Sequence, residues 1–219
     1  MSQTAKLKPE QVRVGACGLE GLLVVPPRPK GLVIFSHGSG SSRHSPRNML
    51  VAERLNARGF ATLLFDLLTE EEAVDRRNVF NIELLGTRVE DAVNWASDDA
   101  RTKALPIGLF GASTGAASAL VAAARNPEAV RAVVSRGGRP DLALGLLGRV
   151  RAATLLIVGG RDAPVTEWNA EALEALKCAK QLEIVPGATH LFEEPGTMEK
   201  VIELAEAWFE RHLSATAAR

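Results

Sequence analysis

At 219 residues, with 46% hydrophobic and 24% charged side chains, the chain has the balance of a single globular domain with a self-sufficient core, and disorder is excluded. Its 26 basic and 26 acidic side chains cancel, leaving no net field to gather nucleic acid or an anionic membrane. Residues 1–10 lack the apolar segment of a secretory leader, and no apolar run reaches the roughly 18–20 residues of a membrane span. Cys17 and Cys178 have neither metal-ligand spacing nor the density of a disulfide framework, so a cytoplasmic protein with no membrane or nucleic-acid partner is expected.

Residues 1–10 read as a loose tail. Two short runs, residues 12–15 and 19–25, flank a turn at Gly18 and read as an edge hairpin; Pro26, Pro27 and Pro29 end it, because proline cannot donate to a ladder. Leu32-Val33-Ile34-Phe35 is a continuous apolar run, the pattern of a strand buried on both faces. It leads into the glycine-rich loop His37-Gly38-Ser39-Gly40-Ser41-Ser42 and a helix over 45–58 closed by Gly59. A strand at 61–65 ends at Asp66, and residues 67–80, rich in Glu and Arg, are expected as a charged loop excursion. Residues 82–97 place Leu85, Val89, Ala92, Val93 and Ala96 on one helical face. Ile107-Gly108-Leu109-Phe110 reads as a strand, followed by Gly111-Ala112-Ser113-Thr114-Gly115 and an alanine-rich helix that halts before Pro127. Strands at 130–135, 154–158 and 182–185 then alternate with helices at 141–147, 168–177 and 197–212. This alternation predicts an α/β fold with a mostly parallel sheet of about eight strands, covered by helices on both faces.

In such a sheet ligands bind beyond the carboxyl ends of the strands. Ser39, Ser113, Arg136, Asp162 and His190 each follow a strand and so converge on that edge. The pentapeptide around Ser113 has the pattern of a sharp strand–turn–helix elbow, in which flanking glycines let two backbones approach and the serine hydroxyl is exposed at the point. A serine hydroxyl needs a base, and the base needs an orienting acid. The chain offers Ser113, Asp162 and His190, in the order that accompanies such an elbow. The expected roles are nucleophile for Ser113, general base and then acid for His190, and imidazole orientation for Asp162. Two backbone donors, the N–H groups of Thr114 and Ser39, are expected to form an oxyanion hole, with Gly40 second to Ser39 in the glycine loop. Gly40 and Arg136 are the further expected substrate contacts. For Arg136 and Arg139, an anionic substrate group and an ordinary ion pair with a local carboxylate are both open.

Each position has a plainer alternative. Ser113 and Asp162 are residue types that cap helices and turns. Asp66 also ends a strand, but it precedes the elbow. Among the four histidines, His212 is expected to be solvated, His37 to shape the oxyanion loop, and His44 to lie too early in the chain to act as base. The scattered histidines and the lack of a phosphate-loop or dinucleotide motif after any strand lead to the expectation of no metal and no cofactor.

On His37-Gly38-Ser39-Gly40, Gly111-Ala112-Ser113-Thr114-Gly115, Gly160-Arg161-Asp162 and Thr189-His190-Leu191-Phe192, the chain resembles the α/β-hydrolases over residues 12–213, and within them the dienelactone hydrolase-like group of small enzymes. Ser135-Arg136-Gly137-Gly138-Arg139-Pro140 resembles a subgroup in which such a hydrolase can adjoin a phosphoribosyltransferase domain. The resemblance implies the α/β-hydrolase fold and a small-molecule substrate. Too few residues separate Ser135 from Thr154 for the cap domain that many relatives insert there, so no cap is expected. Dienelactone hydrolases are expected to carry a cysteine where this chain has Ser113, and a glutamate in the oxyanion loop. The implied activity therefore moves to hydrolysis of carboxylic esters, thioesters or lactones through an acyl-enzyme. A peptidase or cofactor-free perhydrolase on the same triad, and a catalytically silent binding protein, are the alternatives.

Overall fold

The computed structural model describes residues 7–214. Its strands are β1 (Glu10–Val14), β2 (Leu19–Val24), β3 (Leu32–Ser36), β4 (Ala61–Phe65), β5 (Ile107–Ala112), β6 (Val130–Arg136), β7 (Ala153–Gly159) and β8 (Lys180–Val185). They form one sheet in the spatial order β1-β2-β4-β3-β5-β6-β7-β8. β2 pairs antiparallel with both β1 and β4, and every pairing from β4 across to β8 is parallel. Every residue of β3, β4, β5 and β7 is buried, which is why these strands read as unbroken apolar runs.

The helices are α1 (Pro46–Ala57), α2 (Glu70–Val74), α3 (Ile82–Asp98), α4 (Thr114–Arg125), α5 (Ala163–Ala175) and α6 (Thr197–Leu213). Val51 and Leu55 of α1 and Val201 and Phe209 of α6 fill one apolar layer, together with Val33 and Phe35 of β3. Val89 of α3, Leu120 of α4 and Ala172 of α5 fill the other, together with Leu32 and Ile34. Alternate residues of a strand thus feed opposite layers. β4 and β5 lie on either side of β3, so the chain leaves β3 through α1 on one face and leaves β5 through α4 on the other. The loop after β3 and the turn after β5 are left side by side at the carboxyl edge, with their helices diverging, and that is where a crevice opens in a sheet of this kind.

Four local expectations change. Of the tail expected over residues 1–10, residues 1–6 lie outside the described residues, and Glu10 already pairs with Leu23 as the first residue of β1. The excursion 67–80 is not a plain loop: Thr69 and Glu72 form a reciprocal capping box that nucleates α2, and a 3-10 turn follows at Asn78–Phe80. The stretch Pro140–Arg149 is 3-10 rather than α-helical, with Gly145 and Gly148 lowering its α propensity. α5 begins five residues before the expected Trp168, because Asp162 takes the N-cap position and Pro164 is pre-set for a first turn.

α3 and α4 cross closely at Gly86, where a Cβ would stand 2.5 Å from Cγ1 of Val121, a stiff β-branched side chain. Gly86→Ala is expected to cost about 1–3 kcal/mol of stability by overpacking, read from urea denaturation. Adding Val121→Ala removes the clashing methyl, so the cost of Gly86→Ala should shrink in that background. An unchanged cost would mean that the crossing is not the reason for glycine at position 86.

Candidate active site

Of residues 107–124, only Ser113 keeps any appreciable exposure. Its backbone sits at φ 53° and ψ −124°, a left-handed conformation that non-glycine residues avoid. Packing on both sides dictates that turn. A Cβ at Gly111 would lie 2.4 Å from Cα of Ala116, and one at Gly115 would lie 2.2 Å from the Ser36 carbonyl oxygen, so neither position admits a side chain. Neighbouring backbone holds the strained residue in place: Ser113 N–H donates to the Arg136 carbonyl at 3.2 Å, and the Ser113 carbonyl accepts from Arg139 N–H at 3.1 Å.

His190 and Asp162 meet Ser113 from two other strand ends. Asp162 Oδ2 accepts from His190 Nδ1 at 2.7 Å, and Nε2 of the same ring lies 3.3 Å from Ser113 Oγ. With a carboxylate on Nδ1, that nitrogen carries the proton and Nε2 is left as an acceptor for the serine hydroxyl. The loop bearing His190 is tied at several points: Arg161 N–H donates to the Ala188 carbonyl at 2.9 Å, Thr189 N–H to Glu194 Oε2 at 3.1 Å, and Arg47 Nε to the Leu191 carbonyl at 3.2 Å. Ser113 and Asp162 occupy N-cap positions, of α4 and α5, yet neither side chain makes a capping hydrogen bond. The capping alternative for both residues fails on this observation. Asp66 is engaged elsewhere, accepting from Arg43 N–H at 2.7 Å and pairing with the Arg43 guanidinium.

The glycine loop after β3 packs directly on the elbow, with a Cβ at Gly38 only 3.1 Å from the Ala112 carbonyl. Thr114 opens α4, so its N–H is among those with no intrahelical acceptor. Ser39 N–H, the other expected donor, is bonded to Thr114 Oγ1 at 2.9 Å. It therefore has a protein partner already. Gly40 lies at the exposed outer turn of the loop, with open space where a Cβ would be.

The two arginines after β6 part company. Arg139 forks onto Asp141 at 2.8 and 2.9 Å and lies 4.1 Å from the Trp168 ring, an ordinary ion pair with a stacked face. Arg136 is buried, and its pKa is pushed down to about 10 by that burial, with the nearby charge of Arg47 adding to the effect. Arg47 is a site neighbour that the reading of residues 45–58 as a plain helix passed over. Its signal was legible: a cation in the first turn of a helix, where the macrodipole disfavours it and where no acidic residue is present. His212 is not solvated as expected, but half-buried with its ring 4.4 Å from that of Trp208.

With this geometry in hand, the chain can be set beside known proteins. A model of the dienelactone hydrolase family matches residues 19–217. Two Mycobacterium tuberculosis proteins, provisionally named phosphoribosyl transferases, are 59% identical over 209 residues, covering 94% of this chain and 47% of theirs. The chain thus spans about half the length of these curated relatives. The crystal structure of a dienelactone hydrolase from Anabaena variabilis superposes with a TM-score of 0.91 at 52% identity, covering 95% of this chain and 99% of that one. Est1E from Butyrivibrio proteoclasticus shares the fold at a TM-score of 0.77 and 17% identity, over 93% and 98% of the two chains.

His37 lies under the glycine loop and supplies a pH dependence. Its Nδ1 lies 3.0 Å from the Gly38 carbonyl, while Nε2 accepts from Leu67 N–H at 3.2 Å, so the ring is held neutral. Burial pushes its pKa below the usual histidine value, against the opposing pull of the Gly38 bond and the Asp66 charge. The unfolded chain takes up this proton near pH 6.5 and the folded chain only lower, so the stabilisation is present above that value and lost as pH falls beneath it. His37→Gln is expected to lower stability at about pH 7.5, with the gap to wild type narrowing by about pH 5 in urea denaturation. A gap of constant size would show that His37 contributes nothing to the acid sensitivity.

Proposed function

The chain belongs to the dienelactone hydrolase family and has its α/β-hydrolase fold, and we propose that it is a serine hydrolase acting on carboxylic esters, thioesters or lactones through an acyl-enzyme. The observation that carries this reading is the unbroken path from Ser113 Oγ through the His190 ring to Asp162, made by two N-cap residues whose side chains do not cap. His190 Nε2 takes the hydroxyl proton as Ser113 Oγ attacks the carbonyl carbon, and Asp162 holds the ring and stabilises the imidazolium. Collapse of the tetrahedral adduct expels the leaving group with that proton. Water, deprotonated in turn by His190, then attacks the acyl carbon and releases the acid and Ser113.

Oxyanion stabilisation rests on Thr114 N–H and on Ser39 N–H. The latter first exchanges its Thr114 Oγ1 partner for the developing charge. A neutral carbonyl competes with that hydroxyl on even terms, whereas an oxyanion accepts roughly twice as strongly. The exchange therefore favours the transition state over the bound ester, which is what accelerates a reaction. Serine rather than cysteine at position 113 supports esterase-type hydrolysis over the dienelactone reaction itself. The transferase name of the mycobacterial relatives attaches to proteins about twice as long, and we assign this chain to the hydrolase half of such an arrangement.

A fluorophosphonate probe is expected to add once to the wild-type protein, at Ser113, as read by intact mass. Ser113→Ala and His190→Ala are each expected to lower turnover of a nitrophenyl ester by on the order of 10⁴-fold or more, because such residues act as a unit. Equal labelling of Ser113→Ala would move the nucleophile elsewhere, and no labelling of wild type would favour a silent binding fold.

A further inference from the structure

Asn169 lies on the buried face of α5, 0% exposed, where the other buried residues, Val165 and Ala172, are apolar. Its Nδ2 donates to two carbonyls, that of Val165 in its own helix at 2.7 Å and that of Gly138 at 3.0 Å. Its Oδ1 is buried with no partner among the described residues. Buried amides are normally satisfied at both ends, and an apolar side chain would fill this face without an orphaned oxygen. What the asparagine adds is the bond across to Gly138. Among the described residues, no other side-chain hydrogen bond joins α5 to residues 136–139.

Those four residues touch both the nucleophile and the base. The Arg136 carbonyl and the Arg139 N–H hold the backbone of Ser113. Gly137, at φ 52°, turns its Cα toward His190: a Cβ there would lie 3.5 Å from both Cε1 and Nδ1 of the ring and 3.1 Å from the His190 carbonyl oxygen. Nδ1 is the atom that bonds Asp162. Gly138 is walled in, since a Cβ would stand 2.0 Å from Ser135 Oγ and 2.7 Å from Ala116 Cβ. The loop is thus packed between the elbow and the imidazole, and a shift of the one moves the other. Asp162 is the N-cap of α5, and Asn169 follows it by about two helical turns. Its amide therefore fastens the helix that begins at the acid to the loop that touches nucleophile and base.

We propose that Asn169 is a positioning residue of the relay, fixing through Gly138 the approach of His190 Nε2 to Ser113 Oγ. This rests on the serine-hydrolase reading for its chemistry, and on the two amide bonds alone for its geometry. Asn169→Thr is the test, because a threonine hydroxyl in a helix can bond the carbonyl four residues back. The Val165 partner is then kept and only the bond to Gly138 is lost; Asn169→Ser does the same with less bulk should the threonine variant not fold. Trp208→Phe is the control. It also removes one buried side-chain bond to a carbonyl, from Nε1 to Ala153 at 3.1 Å, but at the opposite end of β7. Four quantities are compared: kcat and KM for nitrophenyl acetate, the rate of fluorophosphonate labelling, the far-downfield proton resonance of His190 Nδ1–H, and the melting temperature. In Asn169→Thr, kcat and the labelling rate are expected to fall about 10–100-fold with KM changed by less than about twofold, the scale of a misplacement of about 1 Å between reacting groups. The downfield resonance is expected to shift or broaden. Trp208→Phe is expected to lower the melting temperature by a similar amount while leaving kinetics, labelling and resonance at wild-type values. Equal activity and resonance in the two variants, whether both retained or both lost, would overturn the positioning role. A resonance moved only in Asn169→Thr, with no turnover or labelling of wild type, would keep that role and overturn the hydrolase reading.

Discussion

The carboxyl edge of the sheet depends on how closely α4 passes β3 and β5. Ser36 Oγ and Ser118 Oγ lie 2.7 Å apart, and Ser118 Oγ donates back to the Gly115 carbonyl, clamping the first turn of α4 against the end of β3. Glycine and alanine fill positions 115–117 of that turn, which is what permits the approach. Once the helix is this near, the chain can get from β5 into it only through the left-handed residue at Ser113. Such a conformation costs about 1–3 kcal/mol, and it persists because the 136–139 loop bonds both the N–H and the carbonyl of that residue. The same loop then becomes one wall of the site.

Stability is also given up at two helix ends. Serine and aspartate are among the best N-caps, typically worth about 1 kcal/mol each over alanine. At α4 and α5 they hold the cap positions, yet Asp162 turns to His190, and Ser113 stands within reach of the same ring. α5 does without a side-chain cap, and its proline-bearing first turn is pre-set for helix whatever the cap does. The side chains that could have capped two helices are held together with His190 at the carboxyl edge instead.

Legibility in the sequence followed local physics. Buried parallel strands announce themselves as apolar runs, so β3 to β7 were readable nearly to the residue, as was the elbow; Gly111 answers to a steric contact with Ala116 a few residues on, whereas Gly115 answers to the distant Ser36 carbonyl and was readable only through the pattern it completes. The start of α5 was not, because its first turn carries too little apolar periodicity and the deciding signal is proline chemistry. α2 was missed for the opposite reason: its Thr69–Glu72 capping box is a local signal that the surrounding charge obscured. The bond from Ser39 N–H to Thr114 Oγ1 joins residues 75 apart in the chain, and no pattern in either segment specifies it.

Arg136 and Arg139 look alike in the sequence, yet strand parity separates them. Val134 and Ala132 of β6 belong to the layer of α1 and α6, Val133 to the opposite one, so residue 136 must point where 132 and 134 point. That direction leads into an apolar layer and onto Phe192. Residue 139 has left the strand, and Asp141 two positions on offers it a counter-charge through the loop. Alternation therefore turns Arg136 into the apolar layer beside Phe192, whereas Arg139, past the end of the strand, is free to pair with Asp141.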